Sequence, residues 1–160
     1  SLEELHTAFG ELQENLQKVT AKKYPEILVQ KQLTAGEELL IGANRDGDSH
    51  VYEQNGRGFG HLLVFGKGGI YTEVYQDIST AIVPITREIA EQMISESKVG
   101  KIIAGSRGKS PLAKDKLIDT LLAVQRLVTS YPQIISLDLN PVILTEKECV
   151  VVDIKLLLAQ

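Results

Sequence analysis

Leu137-Asp138-Leu139-Asn140-Pro141-Val142, the turn-forming Thr145-Glu146-Lys147-Glu148 and Val150-Val151-Val152-Asp153-Ile154-Lys155 place four polar side chains in what otherwise reads as an apolar strand pair. Folding this stretch about the Glu146-Lys147 bond sets Asn140 opposite Asp153 and Asp138 opposite Lys155, because both pairs share one residue-number sum. Directly opposed residues have Cβ atoms roughly 4.5–5.5 Å apart, and residues two apart on a strand point the same way. All four polar side chains then share one face, and Leu137, Leu139, Val152 and Ile154 share the other, which reads as core. Asn140 and Asp153 can hold one ion between them: a carboxylate and an amide oxygen, with the remaining positions left to water and phosphate, suit Mg²⁺. A solvated strand end carrying an Asp138–Lys155 surface pair fits the same pattern, although such pairs contribute little. Register alone leaves both readings open. Pro141 withholds one ladder donor, so the strand is expected at an edge or bulged there. A slip of one residue would destroy the pairing.

A chain of 160 residues fits one domain and can bury a real core. Its charges are of both signs with a formal balance of −4, and no run of Lys or Arg provides a footprint for nucleic acid, which is set aside as a partner. The longest apolar stretches, Val150-Val151-Val152 and Leu156-Leu157-Leu158, are far shorter than the roughly 20 residues a membrane helix requires. No signal or transit segment is visible, and no membrane association is expected. The single cysteine, Cys149, has no partner for an internal disulfide and lies in a β-rich run, where a small buried or edge role is expected. A cytoplasmic location follows as the expectation.

Leu2, Leu5, Phe9, Leu12, Leu16 and Val19 recur at steps of three and four, the stripe of an amphipathic helix lying on a core. Ser1 is placed as its N-cap, and a helix that opens this abruptly reads as part of something longer. Tyr24-Pro25 ends the helix, and Ile27 to Leu33 reads as a strand. After the Thr34-Ala35-Gly36 turn, Glu38 to Asn44 reads as a second strand expected to pair with the first, stopped by Arg45-Asp46-Gly47-Asp48. Val51-Tyr52-Glu53, an Asn55-Gly56 turn and Gly60 to Phe65 suggest a further hairpin. Thr86 with Glu88, Ile89 and Met93 opens a helix reaching about Ser97, and Leu117, Leu121, Val124 and Val128 mark a longer one. Strands grouped in hairpins around a helical middle predict an α+β fold with a mainly antiparallel sheet.

Gly66-Lys67-Gly68-Gly69 follows a strand and can let backbone N–H groups approach an anion, with Lys67 adding charge; a tight turn reads equally from these residues. Gly105-Ser106-Arg107-Gly108-Lys109-Ser110 is not a P-loop, because Ile103 stands where the leading glycine belongs. Gly56, Gly58 and Gly60 lack dinucleotide-binding spacing. His6, His50 and His61 stand without a Cys or His cluster and read as surface or core residues.

The order of motifs adds what no single motif carries. Gln30 before Glu38, Ile41-Gly42 with Arg45-Asp46, Phe65 to Tyr71 with Glu73-Val74, Gly105-Ser106-Arg107-Gly108, and Leu137 to Pro141 with Asp153 together resemble the ATP-grasp domain of NDP-forming acyl-CoA synthetases. Succinyl-CoA synthetase β subunits are more distantly similar. The resemblance runs from about Leu2 to Leu158 and implies a ligase in which ATP phosphorylates a histidine, the phosphoryl group passes to an acyl phosphate, and CoA captures the acyl group.

By position, the resemblance implies that Asn140 and Asp153 hold Mg²⁺ at the ATP phosphates and that Asp138 faces the phosphohistidine. It implies that Glu38 accepts from the ribose hydroxyls, and that the hinge carrying Gln30, Lys31, Gln32 and Leu33 meets adenine through its backbone. Arg45 and the loop with Gly66, Gly68 and Gly69 would approach the phosphates; Glu73 and Arg107 match family positions without an assigned role. Lys31 stands where acidic residues are common, and the segment from Gly47 to Gly60 is longer than usual. The chain then corresponds to one partial ATP-grasp domain over 1–160, its N-terminal subdomain lying elsewhere. Acyl and CoA sites are expected on other domains or subunits of an oligomeric full-length form. A nucleotide-sensing or docking domain of an acyl-CoA synthetase-like protein acetyltransferase is the competing reading, and a purely structural α+β domain a third.

Overall fold

The computed structural model describes residues 1–20, 27–33, 35–46, 58, 60–69, 77–106 and 108–159, and the chain divides into two compact units, 1–32 and 33–160. The first unit holds helix α1 (Leu2–Val19). Ser1 caps it as expected: its hydroxyl accepts the Glu4 N–H at 3.2 Å, and its terminal ammonium donates to the Glu4 carboxylate at 2.6 Å, which is a reciprocal capping box. No residue of α1 is buried, so the core expected beneath its apolar stripe is not supplied by this unit. A unit of 32 residues is too small to enclose a core of its own. The strand expected over Ile27 to Leu33 is not formed either, and Leu28 and Val29 are exposed. No ladder partner is present for it among the described residues.

The second unit is an antiparallel sheet backed by helices, which is the α+β class read from the sequence. Strands β1 (Glu37–Arg45), β2 (His61–Lys67), β3 (Ile78–Ile82), β4 (Ile134–Leu144) and β5 (Cys149–Val151) run in the order β3-β2-β1-β4-β5, and β6 (Ile154–Leu158) also pairs with β4. β1 therefore pairs with β2 and β4 instead of with the preceding segment. Helices α2 (Arg87–Glu96), α3 (Gly100–Ile103) and α4 (Lys114–Ser130) lie between β3 and β4 in sequence. The Thr86 hydroxyl caps α2 by accepting the Ile89 N–H at 3.4 Å. Leu117, Ile118, Leu121, Val124 and Val128 form the buried stripe of α4. They meet Leu39, Ile41, Ala43, Leu63, Phe65, Leu137 and Leu139, alternate residues from one face of the sheet, in a single core.

The expected hairpin is present in its expected register. Thr145 Oγ1 accepts the Lys147 and Glu148 N–H groups at 3.2 and 2.9 Å, closing the turn. Leu144 opposes Cys149, Val142 opposes Val151, and beyond a break at Val152-Asp153 the same register returns with Leu139 opposite Ile154 and Asp138 opposite Lys155. Pro141 is accommodated by a bulge: Val142 opposes Leu39 and Leu139 opposes Ile41, so Asn140 and Pro141 together span Leu40. An edge position is excluded, because β4 is paired on both sides. One expectation fails. Leu137 and Leu139 are buried, but Val152 and Ile154 are 41% and 56% exposed. β6 pairs with β4 alone among the described strands, and none of its residues joins the core. The expected Val51 to Gly60 half of a hairpin lies largely outside the described residues; its second strand is β2.

Cys149 is half-buried, with the Thr120 hydroxyl 3.4 Å from its sulfur. Burial pushes its thiol pKa up, and the Thr120 contact only partly opposes this. Alkylation by iodoacetamide at pH 8 is expected to be much slower in the native protein than in urea, as mass spectrometry would read. Leu121→Ala, at a fully buried position, should cost about 2–5 kcal/mol in urea denaturation. Leu157→Ala, on the exposed β6, should stay within about 0.5 kcal/mol.

Candidate functional site

Strand alternation divides the polar residues between two faces. Odd-numbered residues of β1 and β2 carry the core, so Glu38, Gly42, Val64 and Gly66 stand on the opposite, open face. Gly42 opposes both Val64 and Asp138, and the alternation along β4 places Asp138 and Asn140 on that face too.

The glycine loop at the end of β2 closes onto these residues. Gly68 donates its N–H to the Glu38 carbonyl at 2.9 Å, and Gly69 donates to Asn140 Oδ1 at 3.1 Å. Gly68 is required by space and Gly69 by its backbone conformation. A methyl group on Gly68 would overlap the Leu39 carbonyl, and Gly69, with φ of +84°, lies against the Glu38 carboxylate so closely that a Cβ would strike it. Glu38, Gly68, Gly69 and Asn140 are thus brought together from β1, the loop and β4, three elements far apart in sequence.

Asp153 continues the β4–β6 register directly opposite Asn140, at the break between β5 and β6. It is exposed, and its Oδ1 accepts the Ile154 N–H at 2.9 Å. Asp138 opposes Lys155 on the same face. Among the described residues no group of three or more His, Cys, Asp and Glu could hold a metal ion. A cation at the hairpin would therefore take one amide oxygen and one carboxylate from the protein and complete its shell elsewhere, a donor set that fits Mg²⁺ and excludes a protein-only cage.

Two expected residues turn away from this cluster. Arg45 stands seven residues beyond Glu38 on β1, about 23 Å along the strand at roughly 3.3 Å per residue. It shares the parity of the core residues and donates from its guanidinium to the Pro132 carbonyl at 2.8 Å. There it borders a cleft with His61, Pro84 and Val128, so the structure does not bring Arg45 to the glycine loop. Lys67 likewise has core parity, and its ammonium pairs with Glu37 on the helix side of the sheet. It adds no charge to the open face. His61 is buried, its Nε2 2.8 Å from the Ile134 carbonyl oxygen, which is the core role expected of it. Gln30, Lys31 and Gln32 belong to the first unit and are exposed; Leu33 opens the second unit, half-buried. Glu73 and Arg107 lie outside the described residues.

Residues 1–158 match the ATP-grasp domain family. The chain belongs to the ATP-grasp family. It is 36% identical, over 99% of its length, to the beta subunit of ADP-forming acetate–CoA ligase II of Pyrococcus furiosus, and covers 64% of that subunit. It is also 36% identical to ADP-forming acetate–CoA ligase I of Archaeoglobus fulgidus, covering 22% of that longer chain. The chain is similar to an acetyl-coenzyme A synthetase of Ca. Korarchaeum cryptofilum with a TM-score of 0.81 and 34% identity, over 99% of this chain and 65% of that one. That structure contains coenzyme A and Mg-AMPPCP, with a phosphohistidine segment pointing towards the nucleotide site. The chain thus spans just under two thirds of these beta-subunit-sized relatives.

The residue that sequence reading passed over is Asp77. It is 6% exposed, and its carboxylate accepts the Lys98 and Val99 N–H groups at 2.6 and 2.8 Å. A separation of some twenty residues hid the contact, and only its place as a lone acid ahead of an apolar strand could have drawn notice. Gly68→Ala is expected to destabilise the chain by about 1–3 kcal/mol through the overlap at Leu39, measured by urea denaturation.

Proposed function

We propose that this chain is the Mg²⁺- and phosphate-holding part of an ADP-forming acyl-CoA synthetase. The observation that carries the reading is the Gly69–Asn140 hydrogen bond, which joins the glycine loop to the hairpin on the open face of the sheet. Similarity over nearly the whole chain to a synthetase solved with Mg-AMPPCP supports it. In this reading Asn140 and Asp153 hold Mg²⁺, whose chemistry when bound is to neutralise charge on the phosphates and orient them. The loop at Gly66, Gly68 and Gly69 approaches the phosphates, and Glu38 receives hydrogen bonds from the ribose. Asp138, on the same face and two residues from Asn140, orients an incoming histidine by accepting from its ring N–H.

The overall reaction then runs in three balanced transfers. The histidine nitrogen takes the γ-phosphoryl group and ADP leaves; the substrate carboxylate takes the phosphoryl group from histidine; the CoA thiolate displaces inorganic phosphate from the acyl phosphate. Phosphoryl transfer of this kind depends chiefly on positioned charge. Gln30 to Leu33 serve as the adenine hinge. The remaining ATP-grasp subdomain, the CoA-binding and acyl sites are supplied by further domains or subunits of an oligomeric cytoplasmic enzyme, consistent with a beta subunit being among the relatives.

Joined to those parts, the chain should form acyl-CoA from acid, CoA and ATP with release of ADP and phosphate. Asn140→Ala and Asp153→Ala should each lower the rate by about a hundred-fold or more and raise the Mg²⁺ concentration needed for nucleotide binding by calorimetry. Unchanged rates in both variants would contradict the metal assignment. Nucleotide binding without any histidine labelling from γ-labelled ATP would favour a sensing domain instead.

A further inference from the structure

The glycine loop is held at its start by Asp77, the residue that precedes β3 and continues its pairing with β2. The Asp77 carbonyl accepts the Lys67 N–H at 3.1 Å and packs against the Gly66 α-carbon so tightly that a Cβ there would overlap it. Its carboxylate, on the helix side, takes both N–H groups at the junction of α2 and α3. That junction is rigid. Ser97 donates its hydroxyl to the Ile94 carbonyl at 2.7 Å and accepts the Gly100 N–H at 3.0 Å, and Gly100 leaves no room for a Cβ beside the Ile94 carbonyl.

Each residue of the loop is thereby fixed in turn: Gly66 by packing on Asp77, Lys67 by the Asp77 carbonyl, Gly68 by Glu38 and Gly69 by Asn140. Asp77 is the one residue in this series whose side chain reaches the helices. The Glu37–Lys67 ion pair stands beside it, in a groove of about 390 Å³ that Asp77, Lys98 and Ile102 also line. Removing the carboxylate would leave the Val99 N–H, on a residue only 2% exposed, without an acceptor. The Asp77 backbone would at the same time lose its tie to the turn, and the loop its anchor at Gly66 and Lys67.

We infer that Asp77 is a positioning residue for nucleotide binding, setting the height of the Gly66–Gly69 loop by anchoring it to the α2–α3 turn. This rests on the nucleotide reading given above. Asp77 touches no reacting atom; it acts through the loop. Groups hydrogen-bonded to a buried charge are worth enough that losing the anchor should weaken loop-mediated binding by about ten-fold.

The test is calorimetric titration of the full protein with Mg-AMPPCP, comparing wild type, Asp77→Asn and Val128→Ala. Val128 is a core residue of α4 bordering the Arg45 cleft and serves as the stability control. Asp77→Asn should raise the Kd about ten-fold, and Val128→Ala, though it lowers the Tm, should leave the Kd unchanged. Hydrogen exchange on wild type needs no variant: saturating Mg-AMPPCP should slow exchange at Lys67, Lys98 and Val99 as well as at Gly68 and Gly69. Equal Kd shifts in the two variants, an unchanged Kd in Asp77→Asn, or protection that stops at Gly69 would each overturn the inference. Wild-type protein that binds no Mg-AMPPCP would instead contradict the nucleotide reading itself.

Discussion

The two-sided pairing of β4 is the constraint on which the rest of the structure depends. One edge of this strand fixes β1, and through β1 the whole β2–β3 side of the sheet; the other fixes β5 and β6. Because side chains alternate with a period of two, that single register commits Leu137 and Leu139 to the core and Asp138 and Asn140 to the open face at once. The bulge at Asn140-Pro141 relieves the missing proline donor without costing the strand its central place. The same sequence of alternating residues therefore builds the hydrophobic layer and the polar surface above it.

From β4 the consequences reach the glycine loop. Gly68 must lack a side chain because the loop lies directly on Leu39, and the loop lies there because β1 is held between β2 and β4. A dense, low-compliance core under the sheet keeps such contacts at fixed distances. Behind the loop, Asp77 connects it to the helical layer. The open face thus brings Glu38, Asp138 and Asn140 together where β1, β4 and the loop converge.

Much of this was legible in the sequence, for a definite reason. The hairpin register follows from the turn at Glu146-Lys147, and the bulge from Pro141, because both are local backbone constraints. The helices α2 and α4 follow from caps and apolar spacing. The misplaced residues fall into two kinds. Arg45 and Lys67 share the parity of Leu39 to Ala43 and of Leu63 to Phe65, so the sequence held the signal that they face the helices, and motif order was read over it. The exposure of β6, the lack of a strand at Ile27 to Leu33 and the Asp77 anchor depend on what packs across long separations, and no local pattern reports that.

The central claim is that the hairpin and the glycine loop form one phosphate and cation site on the open face. A crystal structure of the protein with Mg²⁺ and AMPPCP tests this most directly. The account predicts the metal bound by Asn140 Oδ1 and an Asp153 carboxylate oxygen, with the phosphates lying against the Gly66–Gly69 loop. Nucleotide bound away from the open face, or a metal shell containing neither Asn140 nor Asp153, would contradict it.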